Sequence, residues 1–263
     1  MSEFGVDVVR GPVHVAWLEL RNPGKLNAVR LEMWEAIPPA VAALAADPDV
    51  RVVGLRGAGD EAFASGADIA EFTTHRKDAK SAAAYEATTA RAFEALLGLE
   101  KPLVAVVQGV CIGGGLAIAA SADVRIAADD ARFALPPARL GLGYHLAGVE
   151  RMVRLLGPSV AAEMFFTARQ YAADEALRIG LVNHVVPKAE VAAYAARYVH
   201  QIAANAPLTL RAAKRAIIEV QRDPAGRDVA AVAQRIAACF ESEDYAEGVR
   251  AFLEKRRPEF RGR

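Results

Sequence analysis

The chain has 263 residues, enough to bury a sizeable core as one large domain or two small ones. Its 32 Lys and Arg residues balance 32 Asp and Glu residues, which argues against a surface for nucleic acid or an anionic membrane. The two cysteines, Cys111 and Cys239, are too few for a disulfide framework, and the five histidines are too scattered for a metal site.

Two segments are candidates for a signal peptide or a membrane helix, and the sequence of neither supports that assignment. The N-terminus contains Glu3, Asp7 and Arg10 and lacks the apolar core of a signal peptide. Residues 102–122 carry no formal charge and are long enough for a membrane helix, but their glycines and β-branched first half favour a buried strand, a turn and a helix. We therefore expect a soluble cytoplasmic protein.

The order of apolar patterns along the chain predicts an α/β fold. Strand-like runs are predicted at Val6–Val9, Val13–Leu20, Val50–Leu55, Leu103–Val107, Val124–Ala127 and Val182–Val186. Between the second and third runs, apolar residues recur at helical spacing from Leu31 to Leu44, and Asp47-Pro48-Asp49 ends that helix. Pro38-Pro39 inside it predicts a kink.

From Lys188 onward the pattern changes to consecutive helices. Leu208–Val220 and Val229–Phe240 are predicted amphipathic helices, separated by Asp223-Pro224-Ala225-Gly226. The predicted organisation is an α/β core over residues 1–195 and a C-terminal helical region over residues 196–263.

The most informative segment is Gln108–Ala117, in which Gly113, Gly114 and Gly115 follow a strand and open a short helix, Leu116–Ala120. Glycines let the backbone turn tightly and let a ligand approach the main chain. The first N–H groups of a helix have no internal partner, so such a turn can hold negative charge that develops on an oxygen.

A second motif makes this assignment specific. Phe63-Ala64-Ser65-Gly66-Ala67-Asp68-Ile69 precedes the glycine triplet by about forty residues, and Arg21–Ala28 forms a further turn upstream. Together these segments resemble the enoyl-CoA hydratase/isomerase (crotonase) superfamily, and the resemblance extends from about Val8 to Phe260.

The resemblance implies a crotonase-like spiral of ββα units whose C-terminal helical segment builds a homotrimer or a dimer of trimers. It implies an acyl-CoA substrate and no separate cofactor, because coenzyme A is part of the substrate. The backbone N–H groups of Ala67 and Gly114 would bind the thioester oxygen. CoA itself would contact further matching positions, the last two from a neighbouring subunit: Lys25, Leu26, Ala28, Asp68, Ile69, Phe252 and Lys255.

Two basic positions have simpler interpretations. Lys255-Arg256-Arg257 also fits a solvated basic tail. Lys101, which precedes a strand, is predicted to be a surface charge.

The sequence departs from the family at both positions that hold catalytic glutamates in its hydratases. By alignment these positions are Ala117 and Pro137, and neither side chain can transfer a proton. We therefore do not expect the usual hydratase mechanism.

Tyr144 and His145 are the candidate replacements. Methylmalonyl-CoA decarboxylase, a member of the same superfamily, has a tyrosine at the position matching Tyr144, although it has histidine where this chain has Ala67. Further local resemblance to that enzyme lies in Glu163–Ala168, Val182–Val186, Ser242–Tyr245 and Phe252–Arg256. Tyr144 would orient a carboxylate or protonate carbon; the alternative is that it only packs at the start of a helix.

The sequence thus predicts an acyl-CoA lyase that works through an oxyanion-stabilised enolate, with a 2-carboxyacyl-CoA decarboxylase as the leading interpretation. The alternatives are an enoyl-CoA hydratase or isomerase with substituted acid/base residues, and a non-catalytic acyl-CoA-binding protein.

Overall fold

The computed structural model describes residues 4–263 and contains a large, mostly parallel sheet. Its strands are β1 (Gly5–Arg10), β2 (Val15–Arg21), β3 (Val52–Gly57), β5 (Leu103–Val107), β7 (Val124–Ala128) and β10 (His184–Val186). They lie in the order β1-β2-β3-β5-β7-β10, with β1 antiparallel to β2 and the other neighbours parallel.

A second, smaller sheet consists of strands only two or three residues long. They are β4 (Ala62–Ala64), β6 (Val110–Ile112), β8 (Arg132–Ala134) and β9 (Tyr171–Ala172). Their order is β4-β6-β8-β9, with β9 antiparallel to β8. Because β4 and β6 are parallel neighbours, the turns that follow them lie side by side.

Eleven α-helices surround the sheets in the described part of the chain. They are α1 (Leu31–Ala46), α2 (Phe72–His75), α3 (Ala79–Gly98), α4 (Gly114–Ala120), α5 (Leu146–Leu156), α6 (Pro158–Thr167), α7 (Ala173–Arg178), α8 (Lys188–Ala203), α9 (Pro207–Val220), α10 (Val229–Phe240) and α11 (Glu243–Leu253).

Side-chain alternation along the strands builds a core on each face of the large sheet. In β2, Ala16, Leu18 and Leu20 face the main cluster, which includes residues of α1, α3 and α4. Val15 and Trp17 face the opposite cluster, which includes the buried side of α8. The main cluster also carries the cavity described below.

The predicted strands of the large sheet are confirmed within a few residues, as are the helices over 207–220 and 229–240. The end of α1 is also confirmed, since Asp47 is its C-terminal cap. The helix continues through Pro38 and Pro39. The short strands of the second sheet were not predicted.

The proposed boundary at residue 195 falls inside α8, whose Val191, Ala195 and Val199 pack against the large sheet. A division there would cut a helix that belongs to the core, so the two-part organisation stays a prediction. Among residues 4–263, no helix is both long and apolar enough to cross a membrane.

The prediction that Lys101 is a surface charge was wrong. The residue is 2% exposed, and its Nζ donates hydrogen bonds to the carbonyl oxygens of Leu44 and Asp47, at 2.7 and 2.6 Å. Because the last carbonyls of a helix lack intrahelical partners, Lys101 satisfies the C-terminal end of α1. Burial lowers the pKa of Lys101 to about 8.

We predict that Lys101→Met destabilises the fold by about 1–3 kcal/mol, because two carbonyls lose their donor. Between about pH 8 and pH 10.5 the folded chain has released this proton while the unfolded chain retains it, so Lys101 contributes a rise in the free energy of unfolding with pH that the Lys101→Met variant lacks. Urea unfolding at several pH values measures both effects.

The exposed Lys80 provides the control, since Lys80→Met should leave stability and its pH dependence unchanged. A Lys101→Met variant with the same pH-dependent rise as the wild type would contradict the assignment.

Candidate active site

One cavity brings together all four predicted catalytic residues and one of the seven predicted CoA contacts. Its volume is about 150 Å³, and it lies between α3, the glycine-rich turn and the segment that precedes α5. The predicted residues among those that line it are Ala67, Ile69, Gly114, Tyr144 and His145.

The backbone N–H groups of Ala67 and Gly114 are both free to bind a ligand. Neither donates a hydrogen bond to any described residue, although the amides next to them do: Asp68 N donates to Val29 O and Gly113 N donates to Ala134 O. Since buried amides are normally paired, two free ones beside a cavity form a ready pair of donors.

Glycine backbone conformations create this arrangement. Gly66 has φ +109° and Gly113 has φ +54°, which are values that other residues rarely adopt. At the next position but one, a Cβ on Gly115 would lie 2.3 Å from the carbonyl oxygen of Ala64, so α4 can approach β4 closely only because residue 115 is glycine.

The two amides are close neighbours. A Cβ built on Gly114 would lie 3.6 Å from Ala67 N and 3.0 Å from Cζ2 of Trp34. Both amides therefore belong to the same small part of the cavity wall, next to the Trp34 ring.

Ala117 and Pro137 also line the cavity, and neither supplies an acid or base. Glu86, in α3, is the one carboxylate among the lining residues in the described chain. It is exposed at the cavity rim. The polar side chains of the cavity therefore differ from the two-glutamate pattern that the family resemblance implied.

Tyr144 is held among aromatic rings. Its ring stacks on His145 with a centroid distance of 5.4 Å and contacts Phe165 at 5.0 Å. Burial raises the pKa of Tyr144 to about 12, against the positive charge of Arg76. The phenol therefore keeps its proton at neutral pH and can act as a hydrogen-bond donor.

His145 caps helix α5. Its Nδ1 accepts a hydrogen bond from the Gly148 backbone N–H at 3.1 Å, which assigns the proton of the neutral ring to Nε2. The lone pair of Nδ1 is thus used for folding, and only the Nε2–H is available to a ligand.

Two further polar groups of the cavity were not predicted. Tyr85 Oη accepts a hydrogen bond from Trp34 Nε1 at 3.0 Å, and burial raises the pKa of Tyr85 to about 12. The Arg76 guanidinium lies over the rings of Tyr85 and Phe72, with Cζ at 4.3 and 4.8 Å from the ring centroids.

The signal that could have identified part of this wall is helical spacing in α3. Tyr85, Thr89 and Phe93 recur every fourth residue and all line the cavity. No comparable spacing pointed to Arg76, which follows the four-residue helix α2.

The predicted CoA contacts near the N-terminus do not line the cavity, but they are joined to the turn that carries Ala67 and Ile69. Lys25 Nζ forms an ion pair with Asp68 Oδ2 at 2.9 Å, and Asp68 also accepts a hydrogen bond from Ala70 N at 3.1 Å. Ala28 is buried, while Leu26 and Ile69 are partly exposed. Lys25 therefore fixes the turn that carries Ala67 and keeps a largely exposed ammonium group.

Phe252 and Lys255 do not join this cavity. Phe252 is 83% exposed and lines a separate apolar groove between α9, α10 and α11. Within residues 4–263, no group of three or more His, Cys, Asp or Glu side chains could hold a metal ion.

A pair of free backbone amides beside an enclosed apolar cavity is the apparatus of an enzyme that stabilises negative charge on a carbonyl oxygen. The family model for enoyl-CoA hydratase/isomerase matches residues 11–263, and the chain belongs to this family.

Individual relatives agree with the family assignment. The crotonyl-CoA hydratase of Syntrophomonas wolfei is 35% identical over 94% of both chains. The (E)-benzylidenesuccinyl-CoA hydratase of Thauera aromatica is 33% identical, over 95% of this chain and 96% of that protein. A crystal structure titled enoyl-CoA hydratase/carnithine racemase, from Magnetospirillum magneticum, superposes with a TM-score of 0.93, 34% identity and coverage of 100% and 97%.

These relatives confirm the predicted superfamily and α/β fold, and they fit the expectation that CoA enters as substrate with no separate cofactor. They give no support to the decarboxylase interpretation or to the local resemblance to methylmalonyl-CoA decarboxylase. The hydratase/isomerase alternative fits them better.

We predict that Gly114→Ala lowers turnover of an acyl-CoA substrate by about 10- to 100-fold, because the added methyl group would press on Trp34 and crowd the space beside Ala67 N. Steady-state kinetics measures the loss, and thermal unfolding establishes that the variant is folded. Gly143→Ala is the matched control: Gly143 lines the same cavity, and its Cβ would meet no atom within 4 Å. Equal turnover in both variants would argue against these amides as the binding pair.

Proposed function

We propose that this protein is an acyl-CoA hydratase/dehydratase that adds water to, or removes it from, an enoyl-CoA thioester without glutamates at positions 117 and 137. The observation that carries the proposal is the pair of free amides, Ala67 and Gly114, on a cavity that also contains a carboxylate and a protonated phenol. The names of the similar proteins support the same class of reaction.

The amides would bind the thioester carbonyl oxygen. Hydration places a hydroxyl group on the β-carbon and a proton on the α-carbon, and negative charge develops on the thioester oxygen between these events. Two fixed N–H donors stabilise that charge more than they stabilise the neutral carbonyl. In other enzymes, loss of one such donor costs about 3–4 kcal/mol of transition-state stabilisation.

Glu86 is the proposed base. Attack of water on the β-carbon requires a group that accepts a proton, and Glu86 is the carboxylate among the described lining residues. It lies on α3 directly after Tyr85, whose hydroxyl is fixed by Trp34. Helix α3 therefore carries the proposed base next to a tyrosine whose position is fixed.

Tyr144 is the proposed proton donor to the α-carbon. Its raised pKa keeps the phenol protonated, and an enolate is basic enough to take a proton from such a weak acid. His145, whose Nδ1 is engaged by Gly148, contributes at most a hydrogen bond from Nε2.

The remaining predicted residues complete the proposal. Lys25, Leu26, Ala28, Asp68 and Ile69 would contact CoA. Phe252 and Lys255, which lie away from this cavity, would contact CoA bound to a neighbouring subunit of a homotrimer or dimer of trimers. Sedimentation equilibrium tests the oligomer, and a stable monomer would argue against the last two contacts.

The decisive experiment is turnover of a panel of enoyl-CoA, 3-hydroxyacyl-CoA and carboxyacyl-CoA thioesters by the purified protein. Interconversion of an enoyl-CoA and a 3-hydroxyacyl-CoA supports the proposal. Release of CO₂ without hydration would favour the decarboxylase interpretation. Tight binding of every thioester with no turnover would favour a non-catalytic acyl-CoA-binding protein.

We predict that Glu86→Gln lowers kcat for hydration by about 10²- to 10⁴-fold and leaves thioester affinity nearly unchanged, because the amide keeps the shape and loses the basic oxygen. Stopped-flow absorbance of the enoyl thioester measures the rate. Glu190→Gln, an exposed glutamate of α8 that lines neither this cavity nor the adjoining one, should retain full activity. A Glu86→Gln enzyme with the wild-type rate would exclude Glu86 as the base.

We predict that Tyr144→Phe also affects turnover and not binding. Its kcat should fall by about 10²-fold or more, while the dissociation constant of the thioester stays close to that of the wild type. Because the phenol titrates only near pH 12, its ionisation should not reduce wild-type activity up to about pH 10. Tyr198→Phe, which packs on the other face of the large sheet, is the control. Unchanged kcat in Tyr144→Phe would make Tyr144 a packing residue.

A further inference from the structure

Arg76 is the cation that lines the candidate active-site cavity within the described chain. It is half-buried, and its Nε is fully buried without a hydrogen-bond partner in residues 4–263. No described carboxylate forms an ion pair with it, Glu86 of the same cavity included. A permanent cation that lines a ligand cavity and has no ion-pair partner calls for an anionic ligand.

The surroundings of Arg76 hold the guanidinium in place. Its Cζ lies 4.3 Å from the ring centroid of Tyr85 and 4.8 Å from that of Phe72, so two aromatic rings contact the cation. Tyr85 is itself fixed by the hydrogen bond from Trp34. A guanidinium positioned in this way can present its N–H groups to a carboxylate without a large loss of side-chain freedom.

The Nε atoms of Arg215 and Arg235 are also buried without a hydrogen-bond partner, but those guanidinium groups form ion pairs with Glu219 and Glu100. Two further partly buried arginines are paired in the same way. Arg30 pairs with Glu71 at 2.7 Å, and Arg56 pairs with Glu19 at 2.8 Å. Arg76 is different because its neighbours are aromatic rings. The field of Arg76 also reaches across the cavity, since its charge opposes the rise in the pKa of Tyr144.

The position of Arg76 indicates which part of an acyl-CoA thioester would carry the charge that it binds. Arg76 shares a small, mostly apolar cavity with the free amides of Ala67 and Gly114, where the thioester carbonyl would lie. The largely exposed Lys25 does not line the cavity, and it is available to the phosphate groups of CoA, which remain in water. A negative charge that reaches Arg76 therefore belongs to the acyl chain.

We propose that Arg76 binds a carboxylate on the acyl group, so that the substrate is the CoA thioester of a dicarboxylic acid. The inference rests on the proposed function, because that function places the acyl chain in this cavity. The binding of the carboxylate can be tested even if the protein turns over no thioester. The guanidinium, which is half-buried and lines the cavity, pairs with both carboxylate oxygens.

The test compares the affinities of the protein for CoA thioesters by isothermal titration calorimetry. It uses two pairs of saturated thioesters, which cannot be hydrated, and the acyl groups within each pair have equal chain length. Succinyl-CoA is compared with butyryl-CoA, and glutaryl-CoA with pentanoyl-CoA. The wild type should bind the carboxylated member of at least one pair about 10-fold or more tightly. Equal affinity within both pairs would overturn the proposal, whether or not the protein is a hydratase.

Variants identify the residue responsible. Arg76→Met should abolish the preference for the carboxylated thioester and leave the affinity for butyryl-CoA and pentanoyl-CoA nearly unchanged. Arg76→Lys should retain part of the preference, because lysine keeps the charge but not the paired geometry. Arg139→Met, an exposed arginine that does not line the cavity, removes the same charge and should keep the full preference.

Two outcomes distinguish failure of the acyl-carboxylate proposal from failure of the proposed hydratase function. Equal weakening of all thioesters and of free CoA in folded Arg76→Met would assign Arg76 to a CoA phosphate and overturn the acyl-carboxylate proposal. A clear preference for succinyl-CoA or glutaryl-CoA, lost in Arg76→Met, would support it even if no enoyl-CoA is hydrated, and the proposed hydratase function alone would then fail.

Discussion

The structure depends on one constraint: two backbone N–H groups must remain unpaired and close together at the edge of a packed core. An unpaired buried amide costs free energy, so the surrounding structure must hold it in place. Parallel pairing of β4 with β6 sets the turns after Ala64 and Ile112 side by side. The positive φ angles of Gly66 and Gly113 then direct Ala67 N and Gly114 N toward the cavity.

This arrangement separates two tasks that enzymes of acyl transfer and enolate chemistry must perform. Stabilisation of charge on oxygen is carried by the backbone and needs no particular side chain, which is why Ala67 and Gly114 suffice. Proton transfer requires titratable side chains, and these are free to differ. In the proposed function the oxyanion site therefore needs no carboxylate at Ala117 or Pro137, and proton transfer is assigned to Glu86 and Tyr144, which line the same cavity.

The sequence was informative wherever a backbone requirement or a long apolar period was involved. The six strands of the large sheet and the turn at Gly114 could be predicted, because continuous apolar runs are typical of buried strands and clustered glycines are typical of tight turns. The role of Ala67 was predicted only from the family resemblance of the Phe63–Ile69 motif. Strands of two or three residues, as in β4 and β9, are too short to produce a period. Lys101 was misassigned because a lysine before a strand usually faces water, and its burial depends on the approach of the α1 C-terminus.

Side chains that reach the cavity from different segments could not be predicted, since their meeting depends on tertiary packing. Arg76 belongs to a short connection, and Tyr85 and Glu86 belong to α3, yet all three line one space with Tyr144. The walls formed by α2 and α3 are separate from the strands that position the amides. Substitutions there can change which acyl group is bound, and which residue moves the proton, without disturbing the two donors. In this chain those walls include a cation, Arg76, which lies on aromatic rings and shares the cavity with the protonated phenol of Tyr144.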